Sequence, residues 1–173
     1  MATNMKKCFV MFFCFVTFAV YGQSVNFMSK DVLTGKPMLL GNCTRKAFGD
    51  SSFSWWFKSE YNMYEVDSTS LAKISDKIKN TDITIVMGTW CSDSRTLVPE
   101  FYKILDYFNY PSDKVKLIMV DRDKKGRDDE VADLNIHLVP TFIFYKNGKE
   151  EGRIVEAPAE TLEKDIRRIL NKG

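Results

Sequence analysis

A cysteine set between an apolar run and a helical pattern constrains this chain more than any other feature. Ile83, Thr84, Ile85, Val86 and Met87 are rich in β-branched residues and too poor in polar ones to face water on one side, so they read as a central strand covered on both faces. Leu97, Phe101, Ile104, Leu105 and Phe108 then recur at helical spacing, with Pro99 inside the pattern as an expected kink. Trp90-Cys91-Ser92-Asp93-Ser94 lies between the two, which places Cys91 where the strand has ended and the helix begins. Unpaired backbone N–H groups and the positive end of the helix dipole point at such a position and favour a thiolate over a thiol. The position three residues on is Ser94, so Cys91 has no second thiol one helical turn away.

The elements around this stretch alternate. Asp67, Ser68 or Thr69 can cap a helix carrying Leu71, Ile74 and Ile78, which Asn80-Thr81-Asp82 ends. Lys116 to Asp121 is a second buried strand. The charged run Arg122 to Glu130 reads as a solvated loop leading into a short helix around Glu130 to Leu134, with no role beyond solubility. Val139-Pro140-Thr141 precedes the apolar strand Phe142 to Tyr145, Asn147-Gly148 turns the chain, and Lys149 to Val155 returns as its hairpin partner. Pro158 opens a last helix with Leu162, Ile166, Ile169 and Leu170 as its buried stripe. The expected fold is therefore α/β: a central mixed sheet flanked by helices, built on a parallel βαβ unit with an antiparallel hairpin at one edge. Open sheets of this kind place their sites at the carboxyl ends of central strands, which is where Cys91 stands.

The 173 residues suffice for one domain and an attached N-terminal piece. Residues 1–22 have the shape of a secretory signal peptide: Lys6 and Lys7, an apolar run from Cys8 to Tyr21, then small Gly22. A retained signal anchor is the alternative, but the run is shorter than the roughly 20 apolar residues of a membrane span, so no stable membrane insertion is expected after cleavage. The segment holds two of the 25 Lys and Arg and none of the 23 Asp and Glu, so the remaining chain has no formal net charge. Nothing in that balance points to nucleic acid. Cys8 and Cys14 leave with the signal, and Cys43 and Cys91 remain in a compartment where disulfides persist. Residues 23–66 read as an extension packed on the domain, with a short extended piece at Met38 to Leu40. Within it, Ser51 or Ser52 caps a helix through Phe53, Trp56, Phe57, Tyr61 and Tyr64, whose aromatics serve the core.

Taken together, Trp90-Cys91-x-x-Ser94, Pro99 eight positions after the cysteine, Val139-Pro140-Thr141 before a strand and Asn147-Gly148 in a hairpin resemble the thioredoxin family over residues 67–173. Gly88-Thr89-Trp90-Cys91-Ser92-Asp93-Ser94 with Gly152 to Glu156 is similar, more narrowly, to exported thioredoxin-like proteins of Bacteroidetes-type bacteria, which implies a periplasmic location. The resemblance implies that Cys91 is the nucleophile and that Trp90 flanks the site. It also implies that Pro140 is a cis proline and that Val139 offers backbone hydrogen bonds to a bound peptide. Two departures bear on mechanism. Ser94 replaces the resolving cysteine, and Ile85 replaces the buried acid six residues before the nucleophile, with Leu117 where the facing lysine would stand. Activation of Cys91 then falls to the helix end, a hydrogen bond from Ser94 and Arg95, and a helix end contributes only about 0.3 to 1 kcal/mol.

The chemistry left open is exchange in which an outside thiol, the substrate's own second thiol or Cys43 resolves the mixed disulfide. Cys43 has three readings: a buried small hydrophobe, a structural disulfide partner or the resolving thiol. The leading reading is an exported monothiol protein performing reduction or isomerisation on disulfide- or thiol-containing exported proteins or small thiols. A non-catalytic binding module around Val139 and Pro140, or a dithiol protein pairing Cys43 with Cys91, are the alternatives. His137 has no companion ligands, so no metal and no cofactor are expected.

Overall fold

The computed structural model describes residues 25–172, and the signal-peptide reading of residues 1–22 lies outside them. Six strands form one mixed sheet: β1 (Phe27–Lys30), β2 (Pro37–Cys43), β3 (Asp82–Met87), β4 (Val115–Met119), β5 (Thr141–Lys146) and β6 (Lys149–Val155). Their order across the sheet is β1-β2-β4-β3-β5-β6. The β3–β4 pair is parallel and every other pair antiparallel. Among the described residues the helices are α1 (Ser51–Met63), α2 (Ser75–Lys79), α3 (Ser92–Tyr107) and α4 (Leu162–Leu170), with short 3₁₀ turns at Arg45–Gly49 and Ser112–Lys114. From Ile83 onward every residue of β3 is buried, as its unbroken apolar pattern requires of a strand at the centre of the sheet.

The principal departure from the sequence reading lies in the N-terminal extension, which is not only helical. The chain from Phe27 to Cys43 forms a hairpin that adds two strands to the sheet, with β2 antiparallel to β4 in the register Cys43 to Leu117. After a 3₁₀ turn at Arg45–Gly49, Asp50 caps α1 by accepting from the Ser52 N–H at 2.8 Å, so the cap is the residue before the two serines. Phe53, Trp56 and Phe57 of α1 are buried, and Phe57 stacks on Phe48 with ring centroids 4.6 Å apart.

Three smaller elements also differ. Asp67 accepts from the N–H groups of Thr69 and Ser70, both at 3.1 Å, but organises turns rather than a helix. Lys73 adopts φ +67, which no helix accommodates, so α2 begins only at Ser75. The segment around Glu130 to Leu134 likewise forms turns, ending at Asn135 with φ +51. The last helix starts at Leu162 under a Thr161 cap that accepts from the Lys164 N–H, and Pro158 precedes it. The β5–β6 hairpin turns at Asn147 and Gly148, with φ +52 and +77, the two positive values a tight primed turn requires.

The sheet has two buried faces. The larger core joins α1, α3 and α4 to Ile83, Ile85, Met87, Leu117, Phe142 and Phe144. A smaller cluster of Val86, Ile118, Val120 and Val139 covers the opposite face, where Trp90, Cys91, Val131, Leu134 and Ile136 pack.

Candidate active site around Cys91

Cys91 is the N-cap of α3, with extended backbone at φ −86 and ψ 129. Its carbonyl accepts from the Arg95 N–H at 3.1 Å, and its N–H donates to the Gly88 carbonyl at 3.0 Å. The half-buried thiol donates to the Val139 carbonyl at 3.3 Å, and the Val139–Pro140 peptide bond is cis. The thiol therefore faces the backbone carbonyl just before the cis bond. Val139 and Pro140 are themselves buried and held by the start of β5.

Trp90 is fixed from three sides. Its indole Nε1 donates to the Val120 carbonyl at 2.9 Å, beyond the end of β4. The Arg122 guanidinium carbon lies 5.0 Å from the ring centroid. Gly88 lies close beneath the ring, where an added Cβ would sit 2.5 Å from the indole. A larger residue at position 88 would displace the flank of the site.

Ser94 does not do what the sequence suggests. It is fully buried, and its Oγ accepts from the Gly88 N–H at 3.4 Å, so the hydroxyl braces the strand-to-helix loop from within. Ile85, Leu117 and Cys43 are register partners in one row across β3, β4 and β2, and Phe142 continues that row on β5. The acid and lysine positions of the family are thus an apolar pair in contact across two strands. Cys43 lies on the principal core face with Leu39, two pleats away along β2, while Cys91 packs on the other face. Burial pushes the Cys43 thiol up to about 11, which disfavours its thiolate. The structure does not bring the two cysteines together, and of the three readings of Cys43 its surroundings match the buried small hydrophobe.

The residues that sequence reasoning missed are Asp31 and Arg122. Arg122 opens the charged run assigned only to solubility, yet its Nε and Nη2 each donate to Asp31 at 2.8 Å. Asp31 is 3% exposed and also accepts from the Thr34 hydroxyl at 2.6 Å. The Arg122 bonds, then the Thr34 hydroxyl, hold its carboxyl far below the usual carboxylate range. Besides its stack on Trp90, Arg122 has an electrostatic interaction with Cys91. Asp31 sits in the β1–β2 connection, so the N-terminal hairpin supports the site directly. No local signal couples positions 91 residues apart. His137 is exposed, and among the described residues no group of His, Cys, Asp and Glu could hold a metal.

The thioredoxin family profile matches residues 65–168, which takes in Cys91, Val139 and Pro140. The chain belongs to the thioredoxin family. It is 28% identical over 102 residues to thioredoxin of Mus musculus, covering 59% of this chain and 89% of that one. It is 33% identical over 97 residues to the mitochondrial thioredoxin O of Oryza sativa subsp. japonica, covering 54% of this chain and 53% of that one. Among solved structures, oxidised thioredoxin O2 of Arabidopsis thaliana matches with a TM-score of 0.38 at 21% identity, covering 61% of this chain and 84% of that one. A thioredoxin domain implies thiol–disulfide redox function, and thioredoxins act on thiol or disulfide substrates. In this thioredoxin-family chain the hairpin β1–β2 and helix α1 precede the matched region and join the same sheet and core.

Proposed function

We propose that this is an exported, monothiol thioredoxin-like protein that carries out thiol–disulfide exchange, as reduction or isomerisation, on exported proteins through Cys91. The observation that carries the reading is the juxtaposition of the Cys91 thiol with the Val139 carbonyl, 3.3 Å apart, at the start of α3. A Cys91 thiolate attacks one sulfur of a substrate disulfide, forms a mixed disulfide and releases the other sulfur as a thiolate that takes up a proton. With Ser94 buried as a hydroxyl and Cys43 on the opposite face, neither completes the second displacement. The substrate's own released thiol does so in isomerisation, and an outside thiol in reduction. The basic start and apolar run of residues 1–22 support export, with the periplasm as the destination.

The test is exchange between the purified exported chain, without residues 1–22 and their Cys8 and Cys14, and a peptide disulfide, followed by mass spectrometry. The protein is expected to accumulate a one-to-one mixed disulfide at Cys91, and Cys91→Ala to form none. Equal reaction of the two proteins would sink the reading. If the Cys91 thiol is unreactive at neutral pH while a peptide partner still binds, the non-catalytic binding module takes its place. Export is tested by fractionation of the source cells: recovery of a chain that retains Lys6 and Lys7 in the cytoplasm would overturn it.

A further inference from the structure

Resting on Cys91 as the exchanging thiol, we infer that the cavity on the Trp90 flank is a subsite for the carboxylate of a small-molecule thiol, which resolves the Cys91 mixed disulfide. The cavity has a volume of about 180 Å³ and is lined by Asp31, Thr34, Lys36, Trp90, Arg95 and Arg122. Three of these side chains are cationic and one is anionic. The one anion is already committed, since Asp31 is buried and accepts from both Arg122 nitrogens and from Thr34. Arg95 donates its Nε to the neutral Thr89 carbonyl at 2.6 Å. Among the described residues no carboxylate pairs with Arg95 or with the exposed Lys36. The cavity therefore presents uncompensated positive charge on the Trp90 flank, and an anion is the ligand that such a field concentrates.

Its position and size narrow the ligand further. Arg122, which lines the cavity and stacks on Trp90, interacts electrostatically with Cys91, so a carboxylate held here belongs to a short molecule whose thiol reaches Sγ. A space of about 180 Å³ is below the roughly 300 Å³ at which ordinary ligand pockets begin, so it takes a headgroup of a few atoms rather than a folded surface. Small thiols that carry a carboxylate fit both conditions.

The chemistry balances with that thiol as the named reductant. After Cys91 has formed a mixed disulfide with a substrate, the small thiolate attacks Sγ, its sulfur bonds to Cys91, and the substrate leaves as a thiolate that is protonated. A second small thiolate attacks the sulfur of the first, forms the symmetrical small-molecule disulfide and releases the Cys91 thiolate. Two small thiols lose two electrons and two protons in total, and the substrate disulfide gains them.

Two measurements on the exported chain, without residues 1–22, test the assignment. Resolution of a preformed Cys91 mixed disulfide is timed with mercaptopropionate, mercaptoethanol and cysteamine, each rate being divided by that thiol's own thiolate fraction. The anionic thiol is expected to be roughly tenfold faster than the cationic one at low salt, and the ratio to fall several-fold in Lys36→Glu and Arg95→Gln and in high salt. Alkylation of Cys91 by iodoacetate against iodoacetamide reads the same field without any disulfide step, and its ratio should fall in the same variants. Ratios that are the same in the wild type and the variants overturn the subsite. Failure of exchange with the alkylation preference intact overturns the proposed function instead. A short peptide thiol with an aspartate beside its cysteine offers the same carboxylate from a macromolecular source; the small cavity predicts no preference for it over the asparagine version, and a preference for the aspartate peptide as large as that for mercaptopropionate would overturn the small-molecule assignment.

Discussion

Ser94 decides what Cys91 can finish. A residue one helical turn after the N-cap lies next to the nucleophile, but here its side chain is turned inward, and its Oγ accepts from the Gly88 N–H at 3.4 Å. A serine at this site is thus a brace for the loop and supplies no leaving or attacking group. Replacing it by cysteine restores the missing displacement: Ser94→Cys should form an internal disulfide with Cys91 after one exchange and release the substrate without an added thiol. Single-turnover product release without reductant measures this, and wild type should instead retain its substrate as the mixed disulfide. Because a thiol accepts hydrogen bonds weakly, the same variant leaves the Gly88 N–H poorly paired and should lose about 1 kcal/mol of stability in denaturant unfolding. Gain of release with loss of stability in one variant separates the chemical from the structural role of this residue.

The N-terminal hairpin and α3 meet at the loop that carries Cys91. Within β2 the Leu39 N–H donates to the Thr89 hydroxyl at 3.2 Å, a buried bond, and the connection before β2 supplies Asp31 to Arg122. Thr89→Val keeps the shape and removes the acceptor, so the buried Leu39 N–H is left without its partner, at a cost of about 1 to 3 kcal/mol. Urea unfolding measures the loss, and amide exchange at Leu39 should rise more than exchange in β5, since the strand loses its tie to the loop. At this scale the sequence was informative where patterns are local. β3, α3, the β5–β6 hairpin and the position of Cys91 follow from apolar runs, helical spacing and Asn147-Gly148, and the family motif residues fall where those elements place them. Strand β1 escaped because it lies at the sheet edge with Phe27 and Met28 exposed, and of β2 only the extended piece at Met38 to Leu40 was legible, because Gly41 at φ +79 interrupts the strand. Neither presents a clean period of two. Arg122 escaped for a different reason: a guanidinium in a charged run looks solvated until a distant carboxylate and an indole are brought against it. The inward rotation of Ser94 is a rotamer, and no spacing encodes it.

Across the whole molecule, α1, α3 and α4 converge on a second group of ionisable side chains, remote from Cys91 and at the junction between the N-terminal segment and the family-matched region. Glu163 of α4 is 1% exposed and accepts from the Tyr64 hydroxyl at 2.8 Å and the Asp67 N–H at 3.1 Å. Glu100 of α3 lies beside this cluster, and burial first, then Glu60 of α1 and Glu163, push its carboxyl up from 4.5 to about 7. Lys103, three residues on along α3, donates to the Tyr64 carbonyl at 2.6 Å and is not paired with a carboxylate among the described residues. Between pH 4.5 and about 7 the folded chain holds a proton on Glu100 that the unfolded chain has released. Stability from this group is therefore full below that window and falls as pH rises through it. Glu100→Gln, which keeps the shape and removes the charge, should flatten the decline of Tm across the window and raise Tm above it, with little change below it. Thermal unfolding of both proteins over the pH range measures this; a parallel decline in the two would show that the repulsion lies elsewhere in the cluster. Because α1 belongs to the segment before residue 65 and α3 and α4 to the matched region, the same measurement reports how firmly the N-terminal segment is held to the domain on which Cys91 works.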